Sequence, residues 1–353
     1  MCSISGIKKN MTRYGKKYWE HRAFLQDFDR LTLDEQKNYQ LCELKKFLRF
    51  AVENSKFYNR LYKIVSIENI TTIDDLKSLP IVDKEMLRAN IDDVMTVSKN
   101  YVEGHTGGTT GKSLVVRYTV EDMMKRMAVL DHFKSRVGFE NLKMRRATFN
   151  GTHIIPSGQK KKIFWRYNLV SKQMIFSSFH LSEDNLRYYV DELNRFKPQA
   201  IDGFFTSMCE VAGYIDRNHL QLSFKPIAIF PTSETLTASG RETLERVFGC
   251  KVYDQYASSE GAPFITECAN QVKHMELSTG VFEHLSEQDN EILVTSFTTH
   301  GTPLIRYRIG DRMEFDTVNE CLCGQRGPVV KSIEGRRLDF LYNAEGAKIN
   351  AGN

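Results

Sequence analysis

Lys197-Pro198-Gln199-Ala200-Ile201-Asp202 ends one helical pattern and opens a strand, and Phe248-Gly249-Cys250-Lys251-Val252-Tyr253 repeats the change further along. Around these two points helices and strands alternate. Leu186, Val190 and Leu193 share one face of a helix that starts at Ser182 and runs to about Phe196, where Pro198 ends it. A short strand is expected near Ala200 to Asp202, then a helix near Ser207 to Arg217. A strand from Ile227 to Phe230 follows, a helix from Ser239 to Phe248 closed by Gly249, and a third strand from Lys251 to Tyr256. Such alternation implies right-handed crossovers and a mostly parallel sheet flanked by helices, an α/β fold. Ligands of these sheets sit at the carboxyl ends of the strands. Two polar loops fall there, Thr232-Ser233-Glu234-Thr235 and Ser258-Ser259-Glu260-Gly261.

The flanks read differently. Residues 1–95 are expected to be a helical region packed on the main domain. Thr32-Leu33-Asp34-Glu35 fits a capping box, Leu41, Leu44, Leu48, Ala51 and Val52 follow at helical spacing, and Asp83 caps a further helix to about Val94. Residues 96–275 form the α/β core. After Leu277 the texture turns to strand, with Glu291 to Phe297 and Pro303 to Phe315 joined by His300-Gly301, so 276–334 is expected to be a small β subdomain.

The 353 residues suit roughly two domains. A net charge of +5 suits a protein that handles anions such as nucleotides and does not require nucleic acid. Lys160-Lys161-Lys162 reads as a solvated loop, because aromatics are not interleaved with a longer basic run. No apolar run reaches the length of a membrane span, and the basic N-terminus lacks the apolar stretch of a secretory signal. The seven cysteines are odd in number and sparse, which points to a reducing cytoplasm.

The sharpest motif is Thr106-Gly107-Gly108-Thr109-Thr110-Gly111-Lys112-Ser113. It offers backbone N–H groups, hydroxyls and one ammonium, with no carboxylate to repel phosphate. It is not a Walker A loop. Thr106 stands where that motif has its first glycine, and Leu114-Val115-Val116-Arg117-Tyr118-Thr119 reads as a strand rather than a helix. A strand–loop–strand clamp is expected instead, with the next helix starting around Thr119. This disfavours a P-loop phosphotransferase. No Gly-x-Ser-x-Gly elbow supports a hydrolase.

The loop resembles the Ser/Thr-Gly-rich phosphate motif of the adenylate-forming superfamily, which includes acyl-CoA synthetases. Further segments agree, in the family's order. Thr232-Ser233-Glu234 is similar to its adenine-binding segment. Tyr256-Ala257-Ser258-Ser259-Glu260 is similar to its Tyr-Gly-x-Thr/Ser-Glu motif, with Ala257 in place of glycine. Tyr307-Arg308-Ile309-Gly310-Asp311 resembles its Tyr-Arg-Thr-Gly-Asp motif, with Ile309 in place of threonine. Gly335-Arg336 followed by Asp339 resembles its hinge, with Leu338 in place of the first aspartate. Phe57-Tyr58 and Leu79-Pro80 resemble the N-terminal region of phenylacetate-CoA ligases, and Lys197-Pro198 with the Thr-Ser-Glu form narrows the resemblance to the CapK-type capsular-polysaccharide-biosynthesis branch. The resemblance implies the large N-terminal domain of such enzymes. Residues 335–353 would be the hinge and the start of the small C-terminal domain, whose adenylation lysine lies outside this sequence.

The implied reaction is ATP-dependent activation of a small carboxylic acid to an acyl-adenylate, then transfer to a thiol such as coenzyme A. Such chemistry needs positioned donors and a metal. Thr106, Gly107, Gly108, Thr109, Thr110, Gly111 and Lys112 suit the β- and γ-phosphates, and Glu260 suits Mg²⁺. Asp311 suits the ribose hydroxyls of ATP or AMP, and Tyr256 suits adenine, beside Ala257, Ser258, Ser259, Ser233 and Glu234. The resemblance gives Arg336 to the nucleotide ribose or phosphate. Standing alone, Glu260 would be a loop carboxylate in water, Asp311 a turn residue and Tyr256 a core aromatic. His153 and Trp165 are candidates for an acceptor pocket. The competing function is a non-catalytic nucleotide-binding protein assisting capsular polysaccharide assembly. A homodimer stays open.

Cys321-Leu322-Cys323-Gly324 has the form of a short metal knuckle, and Cys268 and His274 precede it. Three thiolates and one imidazole suit structural Zn²⁺. Unrelated thiols are the competing reading.

Overall fold

The computed structural model describes residues 12–353 except 64, 66, 106–113, 157, 158, 160, 287, 288, 317–320, 336–339, 343–347 and 351–353. At the N-terminal end lie α1 (Lys16–Phe28), α2 (Leu33–Asn54), α3 (Lys56–Leu61), α4 (Lys84–Ala89) and α5 (Ile91–Val94). The capping box of α2 forms as its spacing predicts. The Glu35 N–H donates to Thr32 Oγ1 at 3.3 Å and the Thr32 N–H donates to Glu35 Oε2 at 2.8 Å. Asp83 caps α4 by accepting from the Met86 N–H at 2.8 Å. The apolar face of α2, with Leu44, Phe47, Leu48 and Ala51, is buried in one core with Val281, Ile292, Val294 and Tyr307. Gln40 Nε2 fixes that packing by donating to the Gly280 carbonyl at 2.6 Å, and on α3 the Tyr58 hydroxyl donates to the Pro303 carbonyl at 2.9 Å.

Next come β1 (Tyr101–His105) and β2 (Val115–Thr119), which pair antiparallel with His105 opposite Val115. They are the two extended arms expected beside the Gly/Thr segment. Thr119 then caps α6 (Val120–Arg136) in a second capping box, with Asp122.

The six-stranded sheet contains β3 (Arg146–Asn150), β4 (Trp165–Asn168), β5 (Gln173–Ser177), β6 (Ala200–Phe204), β7 (Ala228–Thr232) and β8 (Lys251–Val252). Their order is β4-β5-β3-β6-β7-β8, all parallel except the edge strand β4. Between them run α7 (Glu183–Phe196), α8 (Phe205–Arg217) and α9 (Ala238–Phe248). Lys197 and Gly249 close α7 and α9 in the left-handed region, at φ 50° and 67°. Phe149, Ile201 and Ile229 pack against α7 and α8, while Ala200, Ala228 and Phe230 pack with Phe133 of α6. A parallel sheet covered on both faces needs such nearly continuous apolar strands. Gly203 is obligatory: at φ 126° a Cβ would lie 1.8 Å from the Phe149 carbonyl oxygen.

The expected third strand differs from its reading. Lys251 to Tyr256 divides into β8, in the parallel sheet, and β9 (Gln255–Tyr256), in a second sheet. Asp254 separates them. Its carboxylate pairs with Lys273 at 3.1 Å and accepts the Gln255 N–H at 2.9 Å, so the chain turns out of the first sheet there. The second sheet is antiparallel, built of β9, β10 (Ile265–Glu267), β11 (Lys273–Met275), β12 (Gly280–Ser286), β13 (Asp289–Ser296), β14 (Tyr307–Asp316) and β15 (Val329–Glu334), in the order β12-β13-β14-β15-β11-β10-β9. The strand expected from Pro303 starts only at Tyr307, because Arg306 sits at φ 44° with its guanidinium on Glu283 at 3.1 Å. A separate hairpin, β16 (Phe340–Tyr342) and β17 (Lys348–Asn350), follows. Among the described residues no helix is long and apolar enough to cross a membrane.

Candidate functional site

Where the two sheets meet, motifs far apart in sequence converge. Tyr256 stands on β9 and leads into Ala257, Ser258, Ser259 and Glu260; Tyr307 and Asp311 stand on β14. The Tyr256 hydroxyl donates to Asp311 Oδ2 at 2.6 Å, and the Tyr307 hydroxyl donates to Glu260 Oε2 at 2.6 Å. Glu260 is 1% exposed, and a carboxylate that deep requires a donor of this kind. The Glu260 N–H donates to Ser258 Oγ at 3.0 Å, which fixes the loop's turn. Gly310 reaches φ 88° with open space around its Cβ position, so backbone conformation rather than crowding selects glycine there.

The β1–β2 hairpin lies on this loop. The Tyr118 hydroxyl donates to the Ser259 carbonyl at 2.7 Å. A Cβ on Gly104 would stand 2.9 Å from the Tyr118 ring and 3.0 Å from the Ser259 carbonyl oxygen, so only glycine permits the approach. The strand ends beside residues 106–113 are thereby brought to the Ser258–Glu260 loop. Thr106 to Lys112 themselves, and Arg336, lie outside the described residues.

Sequence reasoning missed the residue that anchors the loop from beneath. Arg126, on α6, donates to the carbonyls of Gly261 and Ala262 at 3.1 Å each, to Thr298 Oγ1 at 3.0 Å and to the Ser258 carbonyl at 3.2 Å. Its guanidinium also faces the Phe264 ring at 4.4 Å. Burial pulls its pKa below the ordinary arginine value. Arg126→Met is expected to leave those carbonyls unpartnered, to lower stability by about 2–4 kcal/mol and to loosen the Glu260 loop. Thermal unfolding checks the first effect, and hydrogen exchange of residues 257–262 checks the second.

Ser233 lies at the carboxyl end of β7 in the left-handed region, φ 70°. The Glu234 carboxylate accepts from the Thr206 N–H at 2.7 Å and from its hydroxyl at 2.8 Å. It thus ties the ends of β6 and β7 together and satisfies the first turn of α8. His153 stacks on Phe179 at 4.3 Å near the same end of the sheet, while Trp165 packs on Phe176 at 6.0 Å.

A second constellation sits on β10, β11 and the approach to β15, which lie between β14 and β9 in the antiparallel sheet. Cys268 follows β10, His274 is on β11, and Cys321 and Cys323 precede β15, which pairs with β11. Their ligand atoms all lie within 4.8 Å of one another. The Cys268 and Cys321 sulfurs are 3.7 Å apart, and Cys323 Sγ is 3.5 Å from His274 Nε2. Thiolates about a metal–sulfur bond length from a shared tetrahedral centre stand about 3.8 Å apart. The His274 Nδ1–H donates to the Gly327 carbonyl at 2.8 Å, which leaves the Nε2 lone pair aimed at the cysteines. Donor set and spacing therefore fit zinc.

The fold is that of adenylate-forming CoA ligases. The chain aligns with 2-hydroxyisobutyryl-CoA ligase in its postadenylation state at a TM-score of 0.71 and 17% identity, over 91% of this chain and 71% of that one. It is 40% identical over 349 residues to Protein CapK of Staphylococcus aureus, covering 98% of this chain and 76% of CapK. It is 23% identical to the phenylacetate-coenzyme A ligase of Pseudomonas putida, over 91% of this chain and 75% of the ligase. No family model matches. The chain belongs to the CapK-type branch of the adenylate-forming superfamily, beside the phenylacetate-CoA ligases.

Proposed function

We propose that this protein activates a carboxylic acid with ATP and passes the acyl group to a thiol such as coenzyme A. The observation that carries the reading is the pair of 2.6 Å hydrogen bonds that joins Tyr256 to Asp311 and Tyr307 to Glu260 beneath the β1–β2 hairpin. In the first step a carboxylate oxygen attacks the α-phosphorus and pyrophosphate leaves. In the second the thiol sulfur attacks the acyl carbon, AMP leaves, and the thiol proton passes to solvent. Glu260 would hold Mg²⁺, which neutralises charge on the departing phosphates. Asp311 takes the ribose hydroxyls, and Tyr256 offers its ring to adenine and its hydroxyl to Asp311. Ser233, Ala257, Ser258 and Ser259 line the nucleotide, and Glu234 shapes its segment through Thr206. Thr106 to Lys112 grip the phosphate tail, and Arg336 meets the ribose or a phosphate. Cys268, His274, Cys321 and Cys323 would hold a structural zinc ion.

Carboxylate-dependent exchange of labelled pyrophosphate into ATP tests this across a panel of aryl and alkyl acids. At least one acid is expected to support exchange. ATP-induced thermal stabilisation with no exchange for any acid would instead favour a non-catalytic nucleotide-binding role in capsular polysaccharide assembly, for which the 40% identity to CapK is the supporting observation.

A further inference from the structure

The amino ends of the parallel strands form a face remote from the candidate site. Main-chain hydrogen bonds place the residues just before each strand side by side. The Arg146 N–H donates to the Lys172 carbonyl at 3.1 Å, the Gln199 N–H to the Arg145 carbonyl at 2.8 Å, and the Ile227 N–H to the Gln199 carbonyl at 2.8 Å. Side chains extend the row: Lys172 Nζ donates to the Lys143 carbonyl at 2.9 Å, and the Arg145 guanidinium to the Lys197 carbonyl at 3.0 Å. Lys143, Arg145, Lys172, Lys197, Lys225 and Lys251 are all exposed on this edge.

Carboxylates on the segments leading into the edge are committed elsewhere. Glu140 pairs with Arg22, Glu192 is buried and pairs with Arg195, and Glu245 accepts the Val252 N–H at 2.9 Å. Amid the ammonium groups stand bare aliphatic side chains. Leu169 and Val170, at the β4–β5 turn, are 70% and 52% exposed, and Ile227 is 39% exposed.

We infer that this edge docks the protein on an anionic lipid surface. The lysines and arginine meet the headgroup phosphates, and Leu169 and Val170 enter the boundary beneath them. A nucleic-acid backbone or acidic polymer would satisfy the charges but offer nothing to two adjacent aliphatic side chains at a turn. Five-residue strands separate this edge from the carboxyl ends by about 17 Å. Docking therefore leaves the Ser258–Glu260 loop facing water, and the inference does not depend on the chemistry proposed for that loop.

Vesicle flotation of the whole chain tests it, with phosphatidylcholine alone and with phosphatidylglycerol mixed in. Binding is expected only to the anionic vesicles and is expected to weaken as salt rises. K143E/K172E/K225E is expected to lower the partition coefficient by about a hundredfold or more. L169S/V170S is expected to lower it by about tenfold or more while leaving the charge unchanged. All five positions are exposed, so thermal unfolding and pyrophosphate exchange of both variants are expected to match those of the unaltered chain. Absence of binding to phosphatidylglycerol vesicles overturns the inference. So does binding that L169S/V170S leaves intact, or equal affinity for a DNA duplex, since either would mark a plain polyanion surface.

Discussion

Glu260→Gln is expected to lower pyrophosphate exchange by about a hundredfold or more while leaving the fold intact. The two halves of that expectation rest on different atoms. The Tyr307 hydroxyl donates to Glu260 Oε2 at 2.6 Å, and a glutamine amide oxygen in the same place still accepts it. The side chain is 1% exposed, so an isosteric replacement opens no cavity. The negative charge goes, and with it the oxygen that a hard divalent cation prefers. Tyr307→Phe provides the control, because it deletes the hydrogen bond and keeps the carboxylate. If Glu260 were merely a structural acceptor, Glu260→Gln, which keeps that hydrogen bond, would lose little exchange and Tyr307→Phe would lose more. If it holds Mg²⁺, Tyr307→Phe loses far less, and the Mg²⁺ concentration needed for half-maximal exchange rises only in Glu260→Gln. Exchange by Glu260→Gln within threefold of the unaltered chain would reject the role.

That carboxylate could be picked out from sequence because it stands in a short loop after a strand pattern, flanked by residues of a motif. The parallel sheet was legible for a related reason. Ala228, Ile229 and Phe230 are apolar in succession, and Ala200 and Ile201 lead β6, because helices cover both faces, and Pro198 and Gly249 mark the helix ends. Two features were hidden. Lys251 to Tyr256 reads as one strand because local composition does not register that Asp254 finds Lys273 on another strand. Arg126 reads as one more polar residue on a helix. Only the tertiary fold brings the carbonyls of Ser258, Gly261 and Ala262 to it, and an acceptor made of backbone leaves no residue-type signal. Glu234 falls between these cases: its position in a motif was legible, but the engagement of its carboxylate with Thr206 was not. The Gly/Thr segment at 106–113 was the sharpest sequence signal of all, and what the fold adds is the hairpin beside it. Tyr118, one strand away, fastens the hairpin to the Ser259 carbonyl.

Removal of the zinc proposed at Cys268, His274, Cys321 and Cys323 is expected to have the larger effect on stability. Metal analysis is expected to find one zinc ion per chain. Chelation, or Cys323→Ser, is expected to lower the melting temperature by about 10 °C or more, since structural zinc sites contribute several kcal/mol to the folded state. The effect is not confined to the knuckle. With its amide oriented to satisfy both groups, the Gln325 carbonyl accepts from Arg136 at 2.8 and 3.1 Å. Arg136 in turn donates to Asp29 Oδ1 at 2.6 Å and pairs with Glu276, so the knuckle is linked to α1 and α6. Burial alone would raise the Asp29 pKa, but the hydrogen bonds from His132 and Arg136 outweigh it and hold the carboxyl at about 2, charged in its site at neutral pH. Loss of the metal frees Cys321 and Cys323 to move, and Gln325 moves with them. Hydrogen exchange is therefore expected to quicken in α1 and α6 as well as in β11 and β15, whereas Cys42→Ser, at an exposed thiol, changes neither metal content nor melting. A zinc-free protein with an unchanged melting temperature would return the four residues to the status of unrelated thiols and a buried imidazole, and the geometry around 3.7 Å between sulfurs would be mere packing.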